Sequence, residues 1–217
     1  MIVKICGIRS LDAARAAAAS GADLLGFNFA PVSKRRIDVK TAKEAIAACR
    51  ALNRPPQMTG IFVNQPLHEV TEISREVGLD YVQLSGDEDA AYCLAVTARA
   101  QRLLIKAVRL GDPRGMPDVD ELGGLADALL ADASVAGSYG GSGQAWDWSD
   151  AAGLAARYPV LLAGGLRPDN VAEAISTVRP WGVDVASGVE TSGRTDPERV
   201  RAFIQQVREH EHSDTDN

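Results

Sequence analysis

Residues 160–188 read VLLAGGLRPDNVAEAISTVRPWGVDVASG and contain the repeating unit of the fold. Two apolar runs, VLLAGG (160–165) and GVDVASG (182–188), enclose a segment with helical periodicity, RPDNVAEAISTV (167–178). An apolar run with few breaks is typical of a parallel strand that is covered on both faces. The stretch therefore predicts a strand–helix–strand unit with a glycine-containing turn after each strand.

The same alternation extends from this unit through the rest of the chain. Helical segments follow the other apolar runs, and Ser10 and Pro66 provide start signals for the first and third helices. Eight strand–helix units predict an α/β fold, a single-domain (β/α)8 TIM barrel, although a doubly wound open sheet would show the same alternation. The six preceding runs are IVKICG (2–7), DLLGFNF (23–29), MTGIFV (58–63), YVQLSG (81–86), LLIKAV (103–108) and ALLADA (128–133).

Length and composition limit the classes of protein that this chain can belong to. The 217 residues suit one domain, which we expect at residues 1–209, with a polar and frayed tail at 210–217. The net charge of −6 argues against nucleic-acid binding. No apolar run could span a membrane, there is no signal-peptide pattern, and Cys6, Cys49 and Cys93 form no disulfide framework or zinc pattern. We therefore expect a cytoplasmic protein that binds neither nucleic acid nor membrane.

The ends of the eight runs hold the candidate functional groups, because catalytic residues of such barrels lie where strands end and loops begin. These positions offer one thiol, one carboxylate, small polar groups and two glycine-containing turns. Without a histidine cluster they provide neither a zinc site nor a Ser-His-Asp triad, so we expect no metal and no cofactor. The positions are Cys6, Asn28, Asn64, Ser85, Arg109, Asp132, Gly164, Gly165, Ser187 and Gly188.

Two turns are candidates for binding a phosphate. Gly164 and Gly165 follow the seventh strand, and Ser187 and Gly188 follow the eighth, where barrels of this kind often hold a phosphate on backbone N–H groups. Glycine lets a phosphate approach the backbone closely because it has no Cβ. Each turn alone is most simply an ordinary turn, but two turns at this pair of strands favour a phosphate site.

Three titratable residues at or near strand ends each allow two interpretations. Cys6 is equally compatible with a buried structural thiol and with a catalytic base or nucleophile. Asp132 closes an apolar run, where a carboxylate is costly unless it is solvated in a pocket or paired, and Lys4 or Lys106 inside the barrel could pair with it. Asp184 is similarly ambiguous, and we favour a supporting role or the binding of a substrate hydroxyl.

The loop after the second strand carries a basic triplet, Lys34, Arg35 and Arg36. Such a triplet is usually solvated, but over the barrel mouth a guanidinium could bind a carboxylate or stack on an aromatic ring. Trp146 and Trp148 are most simply packing residues beneath the sixth helix.

Short motifs through nearly the whole chain resemble one family, phosphoribosylanthranilate isomerase, whose fold is a (β/α)8 barrel. The most specific combination is KICG with GGSG…DW and DVASGVE. The motifs are KICGI (4–8), GFNF (26–29), SKRRI (33–37), GIFVN (60–64), VQLSGDE (82–88), IKAV (105–108), YGGSGQAWDW (139–148), LLAGGLRPDNV (161–171) and GVDVASGVE (182–190).

The resemblance implies an Amadori rearrangement of N-(5-phosphoribosyl)anthranilate to 1-(2-carboxyphenylamino)-1-deoxyribulose 5-phosphate in tryptophan biosynthesis. It implies that Cys6 is the general base, that Asp132 is the general acid, that Arg35 contacts the anthranilate and that the glycine turns bind the phosphate. The acid protonates the ring oxygen and the base removes the proton on C2, with the iminium as electron sink, so neither PLP nor a metal is required. A thiolate base implies a lowered cysteine pKa or deprotonation coupled to substrate binding. The expected partner is this small phosphorylated substrate, and the expected state is a monomer or homodimer.

One position departs from the family pattern. Ser85 stands where most members have a histidine, VQLHG, which removes a possible hydrogen-bond partner and could change rate or affinity. The rival enzyme is the histidine-pathway isomerase, which performs the same rearrangement with an aspartate on its first strand, where this chain has Cys6. A dual-substrate isomerase and a phosphate-binding barrel without catalysis are further alternatives.

Overall fold

Eight parallel strands form a closed barrel in chain order, in a computed structural model that describes residues 1–109, 119–132 and 148–215. Each strand pairs with the next, and β1 pairs with β8, with Val3 opposite Val183. This closure decides against the open doubly wound sheet and confirms the predicted barrel. The strands are β1 (Ile2–Cys6), β2 (Leu24–Asn28), β3 (Gln57–Phe62), β4 (Tyr81–Leu84), β5 (Leu103–Arg109), β6 (Ala128–Asp132), β7 (Val160–Leu162) and β8 (Gly182–Val185).

A helix follows each strand on the outside of the barrel. The predicted start signals are in place, because Ser10 Oγ accepts a hydrogen bond from the backbone N–H of Ala13 and Pro66 directly precedes the third helix. Among the described residues no helix is long and apolar enough to cross a membrane. The helices are α1 (Leu11–Ala19), α2 (Val39–Arg50), α3 (Leu67–Val77), α4 (Ala90–Ala100), α5 (Val119–Leu125), α6 (Ser149–Ala155), α7 (Val171–Val178) and α8 (Pro197–Thr215).

The apolar residues form two cores on opposite sides of the barrel wall. The larger core lies between strands and helices and includes Val3, Ile5 and Trp148, the last as predicted. The smaller core fills the lower part of the barrel interior with residues such as Leu24 and Leu130. Because the lower interior is filled, a ligand can enter the barrel only at the carboxyl ends of the strands. Trp146, the other tryptophan of this motif, lies outside the described residues.

The last helix is longer than the sequence indicates. It runs to Thr215, and Arg208 within it donates hydrogen bonds to the carbonyl oxygen of Met1 at 2.6 Å and to the Asp23 carboxylate at 2.7 Å. Glu211 pairs with the amino group of Met1. Contacts with the first residues of the chain therefore continue beyond residue 209, where the sequence analysis expects the domain to end.

A short hairpin after β8 was not predicted. Its strands are β9 (Glu190–Thr191) and β10 (Arg194–Thr195), joined by Ser192 and Gly193, whose φ angles are 50° and 71°. Two positive φ values suit the tight two-residue turn of a hairpin, and a serine–glycine pair is a recognisable signal for it. The hairpin matters for the site because it carries Glu190.

Candidate active site

One pocket lies at the carboxyl ends of the strands and collects seven of the eight predicted site residues. They are Cys6, Arg35, Asp132, Gly164, Gly165, Asp184 and Ser187. Gly188, the eighth, lies behind this surface, where a Cβ would overlap the carbonyl oxygen of Leu166. Its lack of a side chain lets the loop after β8 pack on the loop after β7, so Gly188 shapes the site without lining it.

Cys6 ends β1 and points into the barrel mouth. Neighbouring Gly26 gives it room, since a Cβ at that position would lie 3.0 Å from Cys6 Sγ. Burial raises the pKa of the Cys6 thiol to about 11; the charge of Lys4 opposes this rise, and that of Asp184 adds to it. The sequence analysis offered two routes to a thiolate. The first, a lowered cysteine pKa, is therefore wrong for the unliganded protein.

A buried ion pair lies next to this thiol inside the barrel. Lys4 Nζ donates a hydrogen bond to Asp184 Oδ1 at 2.8 Å, and the lysine is fully buried. Burial opposes the charged form of Lys4, but the nearby Asp184 and Cys6 outweigh it and raise the lysine pKa. Asp184 also lines the pocket, so it is held in place by Lys4 while it faces the space that a ligand would occupy.

Asp132 ends β6 and faces the same pocket. Burial raises its pKa to about 6; the negative charge of Asp184 adds to the rise, and Arg109 and Lys4 oppose it. Neither predicted lysine pairs with it in the described part of the chain, because Lys4 pairs with Asp184 and Lys106 lies outside the barrel wall with Glu88. A carboxyl with this pKa can hold a proton and release it near neutral pH, as a general acid must.

Arg35 reaches the pocket from the loop after β2, and the other two cations of the basic triplet are exposed. Its Nε and Nη2 donate to the two carboxylate oxygens of Glu190 at 2.7 and 2.8 Å, a bidentate pair that fixes the guanidinium. Gly7, with φ of 79°, makes this possible, because a Cβ there would lie 2.5 Å from Arg35 Cδ. Ser33 Oγ further fixes the loop by accepting a hydrogen bond from the Arg35 N–H.

The two predicted phosphate turns flank the pocket on the side of β7 and β8. Gly164 and Gly165 have φ angles of 91° and 67°, a conformation that strains residues with a Cβ. Ser187 begins a single 3₁₀ turn, Ser187–Val189. Both loops line the pocket, so close approach of an anion to their backbone is sterically possible.

Residues that the sequence analysis did not select also line the pocket. Gln83 on β4 is one of them, and it is buried. Arg109, which was among the selected strand-end positions, also lines the pocket, donates to the Ser85 carbonyl at 3.2 Å and lies beside Asp132 in the register of β5 and β6. Glu190, the partner of Arg35, was also missed. A polar residue two positions before a selected strand end, as Gln83 is, could have been found from the two-residue period of strands.

The described residues contain no cluster of three or more histidine, cysteine or acidic side chains arranged to hold a metal ion. What the pocket brings together is a thiol, a carboxyl of raised pKa, a fixed guanidinium and two glycine turns. Fold and pocket together place the chain in the (β/α)8-barrel class, with titratable groups at the strand ends where such barrels carry their active sites.

Comparison with known proteins identifies the family within that class. The family model of N-(5'-phosphoribosyl)anthranilate (PRA) isomerase matches residues 3–206, and the chain belongs to this family. The N-(5'-phosphoribosyl)anthranilate isomerase of Roseiflexus castenholzii is 46% identical over 217 residues, covering 96% of this chain and 98% of the relative.

Solved structures agree with this assignment. The phosphoribosyl anthranilate isomerase of Thermus thermophilus superposes with a TM-score of 0.83 at 36% identity, covering 96% of this chain and 99% of that one. A phosphoribosyl anthranilate isomerase in complex with reduced 1-(o-carboxyphenylamino)-1-deoxyribulose 5-phosphate has a TM-score of 0.80 at 33% identity, covering 96% and 100%.

Proposed function

We propose that this chain catalyses the Amadori rearrangement of N-(5-phosphoribosyl)anthranilate to 1-(2-carboxyphenylamino)-1-deoxyribulose 5-phosphate in the cytoplasm, as a monomer or homodimer, in tryptophan biosynthesis. Membership of the isomerase family supports the reaction. The observation that carries the assignment of roles is the pocket itself, in which Cys6 and Asp132 stand on either side of the two glycine turns. A phosphate bound at those turns would leave the sugar between the acid and the base.

Asp132 is the general acid of this proposal. Its pKa of about 6 leaves part of the carboxyl population protonated near neutral pH. The proton passes to the ring oxygen of the sugar, the bond between that oxygen and C1 breaks, and the nitrogen lone pair forms the Schiff base. The resulting carboxylate is stabilised by the nearby charges of Arg109 and Lys4.

Cys6 is the general base that then removes the proton from C2 to give the enolamine, which tautomerises to the ketone. Its thiol is protonated in the unliganded protein because its pKa is about 11. A cationic Schiff base close to Sγ favours the thiolate, as Lys4 already does to a smaller extent. Deprotonation coupled to substrate binding, the second predicted route, is therefore the one that this geometry supports.

Arg35, Asp184 and the turns bind the substrate in this proposal. Glu190 occupies the edge of the Arg35 guanidinium formed by Nε and Nη2, which leaves the planar face for the anthranilate ring and the remaining N–H groups for its carboxylate. Asp184 pairs with Lys4 through Oδ1, and its other oxygen can accept a hydrogen bond from a sugar hydroxyl.

The test is turnover of the purified protein with N-(5-phosphoribosyl)anthranilate and, separately, with the aminoaldose of the histidine pathway, each before and after exhaustive EDTA treatment. We expect isomerisation of the first substrate, unaffected by EDTA, since we propose that neither metal nor cofactor takes part. Turnover of the second substrate alone would contradict the proposal, and binding of product without turnover would indicate a barrel that has lost catalysis.

A further inference from the structure

Gln83 on β4 has a polar atom for which the fold provides no partner. The residue is 4% exposed and lines the pocket. Its Nε2 donates a hydrogen bond to Ser85 Oγ at 3.0 Å, while its Oε1 is buried and meets no donor in the described part of the chain. A buried carbonyl oxygen without a hydrogen bond is costly, so such an atom in a pocket suggests a donor on the ligand.

Thr59 on the neighbouring strand β3 shows what distinguishes Gln83. Its Oγ1 is also buried without a partner in the residues described. Thr59 is fully buried below the site and does not line the pocket, so no ligand atom can reach it. Of these two residues, only Gln83 lines the space where substrate would bind.

The topology indicates which part of the substrate reaches Gln83. In a closed barrel of eight strands in chain order, β4 lies directly opposite β8. A substrate with its phosphate at the turns after β7 and β8 therefore extends toward β4 with its other end. Cys6 ends β1 and Asp132 ends β6, on either side of these turns, so both would lie beside the sugar of such a substrate. The group that follows the sugar along this line is the nitrogen that joins it to the aromatic ring.

We propose that Gln83 Oε1 accepts a hydrogen bond from the N–H of the substrate nitrogen and stabilises the cation that forms there. This inference rests on the proposed function. When the Asp132 proton passes to the ring oxygen and the bond from that oxygen to C1 breaks, the nitrogen lone pair forms the double bond to C1 and the nitrogen becomes positive. Its N–H remains, and a hydrogen bond to a charged donor is stronger than one to a neutral donor.

Ser85 is a positioning residue in this arrangement. By accepting the hydrogen bond from Gln83 Nε2, it fixes the orientation of the side-chain amide and leaves Oε1 without a partner among the described residues. Its own backbone carbonyl accepts a hydrogen bond from Arg109. The serine at this position, where the family pattern predicts an imidazole, therefore contributes by orienting Gln83.

The experiment compares kcat, KM and product affinity in four variants of the full chain. Gln83→Met keeps the side-chain size but removes the acceptor, and we expect kcat to fall about 10- to 100-fold, the range for a lost hydrogen bond to a charged group. KM and product affinity should change less than about threefold, because the bond strengthens only after the cation forms. Gln83→Glu should recover most of the loss, since a buried neutral carboxyl accepts through C=O and donates through O–H to Ser85. Ser85→Ala should lower kcat by less than Gln83→Met does.

Thr59→Val is the matched control, because it removes the unpartnered buried oxygen that cannot reach substrate, and its kcat should equal that of the unsubstituted protein. A Gln83→Met protein with normal kcat, or with equal losses of kcat and product affinity, would overturn the assignment. If Gln83→Met does not fold, the test rests on Gln83→Glu and Ser85→Ala. Normal kcat in Ser85→Ala together with no turnover in folded Gln83→Glu would then contradict the assignment. An unsubstituted protein that does not isomerise the substrate would instead contradict the proposed function.

Discussion

Two buried lysine–carboxylate pairs lie on opposite sides of the barrel wall and serve different purposes. Lys4 on β1 contacts Asp184 at 2.8 Å inside the barrel, and Lys106 on β5 contacts Glu88 at 3.1 Å on the outside. Both lysines are almost completely buried. The two lysines lie on opposite faces of the wall because alternate side chains of a strand point to opposite faces.

The inner pair acts on titratable groups. Asp184 raises the pKa of Cys6 and of Asp132, and Lys4 lowers both. The outer pair acts on backbone instead, because Glu88 accepts hydrogen bonds from the N–H groups of Asn64 and Gly86. We infer that the same chemical pair tunes reactivity on one side of the wall and fixes two loops on the other.

The largest expected effect concerns the outer pair. Lys106→Met leaves the Glu88 carboxylate buried without its cation, which typically costs about 3–5 kcal/mol of unfolding free energy. Urea denaturation measures this loss, and the kcat of the folded fraction should stay near normal. Lys43→Met is the matched control, because Lys43 and its partner Glu76 are 59% and 55% exposed and 3.8 Å apart, so its cost should be within about 0.5 kcal/mol. A stable Lys106→Met protein with low kcat would contradict the comparison, because the outer pair would then act on turnover and not on stability.

Inside the barrel the expected effect is on turnover. Cys6→Ala and Asp132→Asn should each reduce kcat by at least about a hundredfold, the lower range for lost acid–base catalysis. Steady-state kinetics on the purified variants, with circular dichroism to verify folding, gives the answer. Near-normal turnover in either folded variant would remove that residue from the chemistry and would leave the inner pair with only one catalytic group to tune.

A smaller effect is expected at the rim of the pocket. There Arg35 is buried, whereas Lys34 and Arg36 are exposed. Arg35→Ala should weaken product binding by about 1.5–3 kcal/mol. Arg35→Lys should weaken it by less, because lysine keeps the positive charge. Some loss should remain, because lysine has neither the planar face nor the paired N–H donors of a guanidinium. Arg36→Ala removes an exposed side chain and should change affinity by less than about 0.5 kcal/mol. Calorimetry with the product compares all three, and a silent Arg35→Ala beside a damaging Arg36→Ala would assign the loop wrongly.

Much of the site could be predicted because strand ends of a barrel converge at one mouth. That rule alone selected Cys6, Asp132 and the two glycine turns from their positions after apolar runs. It could not supply Glu190, because the partner of Arg35 lies 155 residues away on a hairpin whose own signal is a single serine–glycine pair. Gly188 was selected for its place in the loop after β8, and only the structure shows how closely it approaches Leu166.

The lysines show where a stricter use of the sequence would have helped. Lys4 and Cys6 differ by two positions on β1 and therefore share the inner face. Lys106 differs by three positions from Arg109, which lines the pocket, and must lie on the outer face of β5. The raised pKa of the Cys6 thiol could not be predicted in this way, because it depends on how completely the packed barrel excludes water.

The most direct test of the account is the unfolding free energy of the unsubstituted and Asp132→Asn proteins, from about pH 4 to about pH 8, combined with their turnover. A carboxyl whose pKa rises to about 6 on folding stabilises the protein while it is protonated, and this contribution is lost as the pH rises through that value. Asparagine removes the cost of the buried charge. We therefore predict that Asp132→Asn turns over at least about a hundredfold more slowly. It should nevertheless be more stable above pH 6, by up to roughly 3 kcal/mol, with the difference vanishing toward pH 4. Equal or lower stability of Asp132→Asn at pH 8, or turnover close to normal, would contradict the account.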